Sequence, residues 1–209
     1  MSRARSPRSE ATAATRAVLI DAATALFTER GYVGTSIDDV AAAAGMTKGA
    51  VYHHFQGKAA LFEAVFSAQE DEVHARLGAA LDGAPDHVSG ARAALTVFLE
   101  ACTEPAYGTI AFRDGPIALG WERWRECEVD YAFAFISRVL AGLEADGHLA
   151  RPLGVGHPTV VLGMLSSAGL LLAQAPPAEQ ARLRDELLEL FEQFLAGLAL
   201  DPAALGSNA

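Results

Sequence analysis

Thr47-Lys48-Gly49-Ala50-Val51-Tyr52-His53-His54-Phe55-Gln56-Gly57-Lys58 is the stretch on which the reading of this chain turns. It follows the apolar run Ile37 to Gly45, and its two lysines are the only ones in the sequence. Thr35 or Ser36 is suited to cap a short helix through Val40 to Ala44, with Asp38 and Asp39 in its first turn favouring the helix dipole. Gly45 closes that helix, Thr47 caps a second one through Val51 to about His54, and Gln56-Gly57 breaks it. Helix, brief glycine-containing turn, helix is the spacing that lets two helices cross steeply, so that the second presents its outer face to a major groove. The side chains fit that use. Thr47 suits a phosphate, Lys48 reaches a guanine edge or a phosphate, Gly49 permits close backbone approach, and Tyr52 lies one turn on with His53 and His54 beside it. Val51 and Phe55 are expected to face inward.

Charge along the chain agrees. The whole sequence is acidic, with 16 Lys plus Arg against 26 Asp plus Glu. Residues 1–58, however, hold Arg3, Arg5, Arg8, Arg16, Arg30, Lys48 and Lys58 against Glu10, Asp21, Glu29, Asp38 and Asp39, a formal +2, which leaves −12 for the remainder. A polyanion is tolerated by the first part and repelled by the second. Arg3, Arg5 and Arg8, interleaved with Ser and Pro, read either as a solvated tail or as an arm that orders in a minor groove.

With 209 residues, 51% of them hydrophobic, the chain buries a real core. It has no run of 18 apolar residues and no apolar stretch in residues 1–10, so a soluble, cytoplasmic protein without a membrane span is expected. Cys102 and Cys127 read as buried thiols. His53 and His54 make a poor metal pair, because adjacent helical positions point about 100° apart. No metal or cofactor is expected.

The punctuation throughout is that of an all-α protein. Ala14, Val18, Ala22, Leu26 and Phe27 form the stripe of a half-buried helix from Ala11 to Arg30, stopped by Gly31. A long amphipathic helix starts at Lys58 and carries Leu61, Phe62, Val65, Phe66, Val73 and Leu77. Beyond the Asp82 to Pro85 loop, a helix is expected from about Asp86 to Cys102, broken by Pro105 and Gly108. Asp114 is placed to cap and Pro116 to start a long helix through Trp121, Trp124, Tyr131 and Phe135 to Gly142 or Gly147. Two further helices follow, roughly residues 158–174 and 178–200. The first is apolar nearly all round and must be covered on every side. The second carries a stripe opposite Arg182, Arg184, Asp185, Glu186, Glu189 and Glu192. A four-helix interface between two copies, from Leu165, Gly169, Leu172, Leu187, Leu190, Phe191, Phe194 and Leu198, satisfies both, the alternative being that the two helices simply close the core of the single chain.

The segment Ala17 to Phe66, and above all Phe27-x3-Gly31-Tyr32-x2-Thr35-Ser36-Ile37-x2-Val40-Ala41-x3-Gly45-Met46 running into Thr47 to Phe55, Lys58 and Leu61, resembles the N-terminal domain of TetR-family transcriptional repressors. The resemblance implies that Lys48, Gly49, Tyr52 and His53 face the major groove, while Ser36, Thr47, His54 and Lys58 touch phosphates. Asp38 and Asp39 depart from the usual pattern, which has neutral or basic residues there. The resemblance further implies a flexible basic arm (1–10), a helix-turn-helix domain (11–57) and a ligand-binding and dimerisation domain (58–209). Within about Asp86 to Asp146 it implies a cavity for a small apolar or aromatic effector, lined by candidates Phe98, Cys102, Tyr107, Phe112, Trp121, Trp124, Tyr131, Phe135 and Met164. Gly115 to Glu126 resembles a recurring effector-domain segment. The function implied is a homodimeric repressor on a palindromic double-stranded DNA operator. The alternatives are a helical adaptor, or an enzyme in a helical bundle. For the latter the sequence offers no Gly-rich phosphate loop and no Glu-x-x-His pair, and His74, His87, His148 and His157 are scattered.

Overall fold

The computed structural model describes residues 7–149, 153–154 and 156–198, with side chains from residue 11 to residue 197. Among these residues every regular element is helical: α1 (Pro7–Gly34), α2 (Ile37–Ala43), α3 (Lys48–His54), α4 (Lys58–Asp82), α5 (His87–Thr103), α6 (Pro105–Tyr107), a π-helical stretch Gly108–Arg113, α7 (Gly115–Leu119), α8 (Trp121–Ala145), α9 (Gly156–Gln174) and α10 (Pro177–Leu198). The all-α architecture with an N-terminal helix-turn-helix is therefore present. Of the basic arm expected at residues 1–10, residues 1–6 lie outside the described residues. Helix α1 already begins at Pro7 rather than Ala11.

Local chemistry explains the N-terminal elements. Gly31, at φ 73°, ends the straight part of α1 in a conformation a β-carbon disfavours. Ser36 caps α2 through a reciprocal capping box with Asp39, and Thr47 caps α3 by accepting from the Ala50 amide. The buried stripe of α1 is Leu19, Ala23, Leu26 and Phe27. Ala14 and Val18 point to solvent, so over the first turns the buried face differs in register from the expected stripe. Phe27, Tyr32 and Phe62 pack ring against ring at 5.2–6.0 Å between centroids, and Val40, Val51 and Phe55 close the small core around them.

That core does not stop at residue 57. Along α4, Leu61, Phe62, Val65 and Phe66 pack toward α1, and Glu70, Val73 and Leu77 continue into the second half without a gap in burial. One helix thus belongs to both.

Three sequence expectations fail in the middle of the chain. Gly108 does not break the helix. It keeps helical angles, and is glycine because a β-carbon would press on the Cys102 carbonyl. The chain then widens into a π-helical stretch with Gly108 to Phe112 all buried, the Trp124 indole N–H donating to the Ala111 carbonyl at 2.8 Å. Asp114 makes no side-chain cap for α7. The long helix expected from Pro116 is two, α7 and α8, divided at Gly120 with φ 80°.

Candidate nucleic-acid interface and effector cavity

Helix α3 is anchored on one side only. Val51 is fully buried and Phe55 nearly so, whereas Lys48, Gly49, Tyr52 and His53 are exposed and His54 half-exposed. A β-carbon added to Gly49 would meet nothing but the Thr47 hydroxyl, at 3.9 Å. The free protein therefore does not require glycine there. Lys48 reaches back to Asp38 on α2, Nζ to Oδ2 at 2.9 Å, a pairing that spacing along the chain does not reveal. That contact raises the Lys48 pKa, the hydrogen bond to Asp38 being the larger cause and its charge the next. With both partners more than half exposed, the pair contributes little to stability.

The four expected phosphate contacts differ in what they already do. Ser36 donates its hydroxyl to Asp39 Oδ2 at 2.5 Å and accepts from the Asp39 amide at 3.1 Å. Thr47 is exposed, its hydroxyl accepting the cap bond at 3.2 Å. Lys58 donates to the carbonyls of Tyr32 and Thr35 at 2.6 and 2.8 Å and sits 4.2 Å over the Tyr32 ring, so one ammonium hydrogen is left for anything else. His54 lies against His53 at 5.2 Å.

In the second half an apolar cavity of about 130 Å³ opens between α4, α5, α8, α9, α10 and the π-helical stretch. Of the nine aromatic and sulfur-bearing candidates, Phe98, Tyr107, Phe112 and Phe135 are on its wall. The other five are corrected. Trp121 is 60% exposed. Trp124 is fully buried but turned to the π-helical stretch. Cys102 is buried outside the wall, and Tyr131 and Met164 are half-buried in the packing around it. The wall also has members that no aromatic pattern flags: Glu70, His74, Glu128 and Ser166 among the polar ones. For Glu70 and Glu128 the signal is a carboxylate at a core position of an amphipathic stripe; His74 and Ser166 carry none.

Within the single chain the residues of the expected dimer face are placed unequally. Leu165, Phe191 and Phe194 line the cavity, Leu172 is fully buried, and Gly169 is pressed so closely on Phe112 that a β-carbon would collide with the ring. Leu187 is half-buried, and the Leu198 side chain lies outside the described residues. The large apolar residues that α9 and α10 leave open are Val160 at 58%, Leu171 at 50% and, from the expected face, Leu190 at 53% exposure. Helix α9 is long and apolar enough to cross a membrane, yet only 28% of it is buried within the chain.

Two links join cavity and helix-turn-helix. Besides α4, the buried Asp114 carboxylate at the end of the π-helical stretch accepts the Tyr32 amide at 2.6 Å, and Tyr32 in turn carries the Lys58 ammonium. Arg123 bridges α8 to Glu63 of α4 at 2.6 Å and pairs within its own helix with Glu126 at 3.1 Å.

Residues 19–65 match the family described as "Bacterial regulatory proteins, tetR family", and residues 88–198 match "Tetracyclin repressor-like, C-terminal domain". The chain is 32% identical over 147 residues to the HTH-type transcriptional activator FasR of Mycolicibacterium smegmatis, covering 68% of this chain and 66%, just under two thirds, of that relative. It is 31% identical over 124 residues to the HTH-type transcriptional repressor KstR2 of Rhodococcus jostii, covering 59% and 57%. A crystal structure of a TetR-family transcriptional regulator from Pectobacterium atrosepticum superposes with a TM-score of 0.78 at 30% identity, over 95% of this chain and all of that one. A capped recognition helix with an unfilled outer face, joined through one continuous core to a cavity-bearing helical half, and two matches that together span both parts, establish that this chain belongs to the TetR family of DNA-binding transcriptional regulators and is not an enzyme.

Proposed function

We propose that the protein is a homodimeric cytoplasmic repressor that binds a palindromic operator through Lys48, Gly49, Tyr52 and His53, with Thr47, Ser36, His54 and Lys58 at the phosphates, and leaves it when a small apolar effector fills the cavity. The observation that carries the reading is the outer face of α3: its side chains stand open to solvent, Lys48 reaching only the exposed Asp38, while Val51 and Phe55 lock the opposite face. Helix-turn-helix half-sites lie about 34 Å apart, which calls for a second subunit. Val160, Ser167, Leu171 and Leu190, exposed on α9 and α10, are the surface for it, and of the face expected from the sequence only Leu190 is among them. Residues 1–10, 11–57 and 58–209 serve as arm, reader and sensor.

Effector binding is transmitted by α4 and by the Asp114 contact with Tyr32. A full swing from 1:99 to 99:1 asks the effector to prefer the released state by about 5.5 kcal/mol. Repression is chosen because occlusion of a promoter needs no partner besides DNA. Fluorescence anisotropy with DNA from upstream of the protein's own gene tests the reading. Affinity falls steeply with salt and two chains occupy each operator; a salt-independent signal or one chain per site rejects it. Reporter output that drops when the gene is deleted makes the protein an activator instead.

A further inference from the structure

Glu70 is the unusual residue of the cavity wall. It is a carboxylate at 6% exposure in the middle of α4, with Leu77, Phe98, Phe112 and Phe135 among its fellow lining residues. Its side-chain partners are the Tyr107 hydroxyl, which donates to the two carboxylate oxygens at 3.2 and 3.3 Å, and His74, whose Nδ1 lies 3.4 Å from Oε2 and 3.0 Å from the Glu70 carbonyl. Neither is a permanent cation. Glu128, the second buried acid of the wall at 8% exposure, differs: Arg125 donates to it at 2.6 Å. Buried carboxylates are normally matched by a counter-charge. Glu70 has only the His74 imidazole, whose burial works against its charged form while the hydrogen bond and charge of Glu70 raise its pKa on balance.

The rest of the wall bears on what would enter. Among the described residues its polar members are Glu70, His74, Tyr107, Glu128 and Ser166, none of them a lysine or arginine. The hydroxyl hydrogens of Tyr107 and Ser166 are already given to Glu70 and to the Leu162 carbonyl. An anionic head group would meet two carboxylates and find few free donors. A cationic one would complete Glu70.

We propose that the cavity takes a small apolar amine, its ammonium group pairing with the Glu70 carboxylate and its hydrocarbon body lying along Leu95, Phe98, Phe135, Ile136 and Leu165. This rests on reading the cavity as the effector site. The neighbours register the negative field: burial first, and then the charge of Glu70, pushes the Tyr107 phenol and the Cys102 thiol well up, and the same charge adds to the burial that raises the Glu128 carboxyl.

Calorimetric titration of the full chain with octylamine, 1-octanol and octanoate, which share one hydrocarbon body, decides the matter. The amine binds about tenfold or more tightly than the alcohol, in line with a charge-assisted contact, and the acid binds weakest. In Glu70→Gln the amine loses its advantage over the alcohol. Octanoate binding as well as octylamine, no binding by any of the three, or an E70Q protein that keeps the amine preference overturns the proposal. Should E70Q fail to fold, as judged by circular dichroism, the ranking on the unaltered chain decides alone. Octylamine that binds with the expected preference yet leaves the operator complex intact sinks the effector reading while the amine site stands.

Discussion

The reader half and the sensor half of this molecule secure their polar groups over different distances. Around α2 and α3 the decisive bonds are made within three residues: Ser36 with Asp39, and Thr47 with Ala50. In the second half, bonds as local as Arg125 with Glu128 stand beside ones that cross tens of residues, as in Tyr107 with Glu70, Arg123 with Glu63 and, reaching back to the reader, Asp114 with Tyr32. A unit held by neighbours in sequence keeps its shape whatever its surroundings do. A unit held by distant partners shifts when any one of them is displaced, which is the property a sensor requires.

Substitutions test that contrast. The largest effect is expected for Phe62→Ala, which removes a fully buried ring shared by the α1 and α4 packing. It should cost about 3–5 kcal/mol in urea unfolding. A single transition is expected because the core is continuous; two separate transitions would show instead that the halves fold independently. Next comes Asp114→Ala, which leaves the Tyr32 amide without its acceptor and should cost about 1–3 kcal/mol. If the distant bonds carry the signal, this variant also loses part of the effector's power to release DNA, and full release with lowered stability would assign the bond a structural role only.

Ser36→Ala removes the N-cap of α2 and should cost about 1 kcal/mol by the same measurement, with effector response intact. Acid titration complements it. The side-chain and backbone hydrogen bonds with Ser36 hold the Asp39 carboxyl below its ordinary value of 3.8. The contribution of the box is therefore present above that value and lost as pH falls through the lowered one. A variant lacking Ser36 should lose this acid-dependent component. The smallest effect on stability is expected for Gly49→Ala, unchanged or slightly raised because alanine favours helix and a β-carbon finds open space. Operator affinity should nonetheless fall by about tenfold or more, because a methyl group there holds the helix backbone away from the groove floor. Unchanged anisotropy would show that DNA does not approach α3 at this point.

The same contrast explains what is legible in the sequence. Thr47, Gly45 and the short apolar run through Val40 declare α2 and α3, because caps and turns are local rules. Inward Val51 and Phe55 follow from helical spacing. Local rules do not show Lys48 turning to Asp38, since that pair depends on how α2 and α3 cross. They misplace the first turns of α1, where alanines make apolar spacing ambiguous. In the second half, aromatic content draws attention to Trp121 and Trp124, which pack elsewhere, and away from Glu70, His74 and Glu128, whose place on the wall is set by helices distant in sequence meeting. The dimer stripe is hard to read for a related reason: α9 is apolar on every face, so composition does not say which face the monomer uses.

Gly169 carries a consequence of its own. Its missing side chain is what lets the Phe112 ring rest against α9, just ahead of Asp114 in the chain. A single methyl group at that position would displace the ring from inside, as an occupant of the cavity would from its own side. If the cavity is the effector site as proposed, Gly169→Ala is a candidate for an inducer written into the gene.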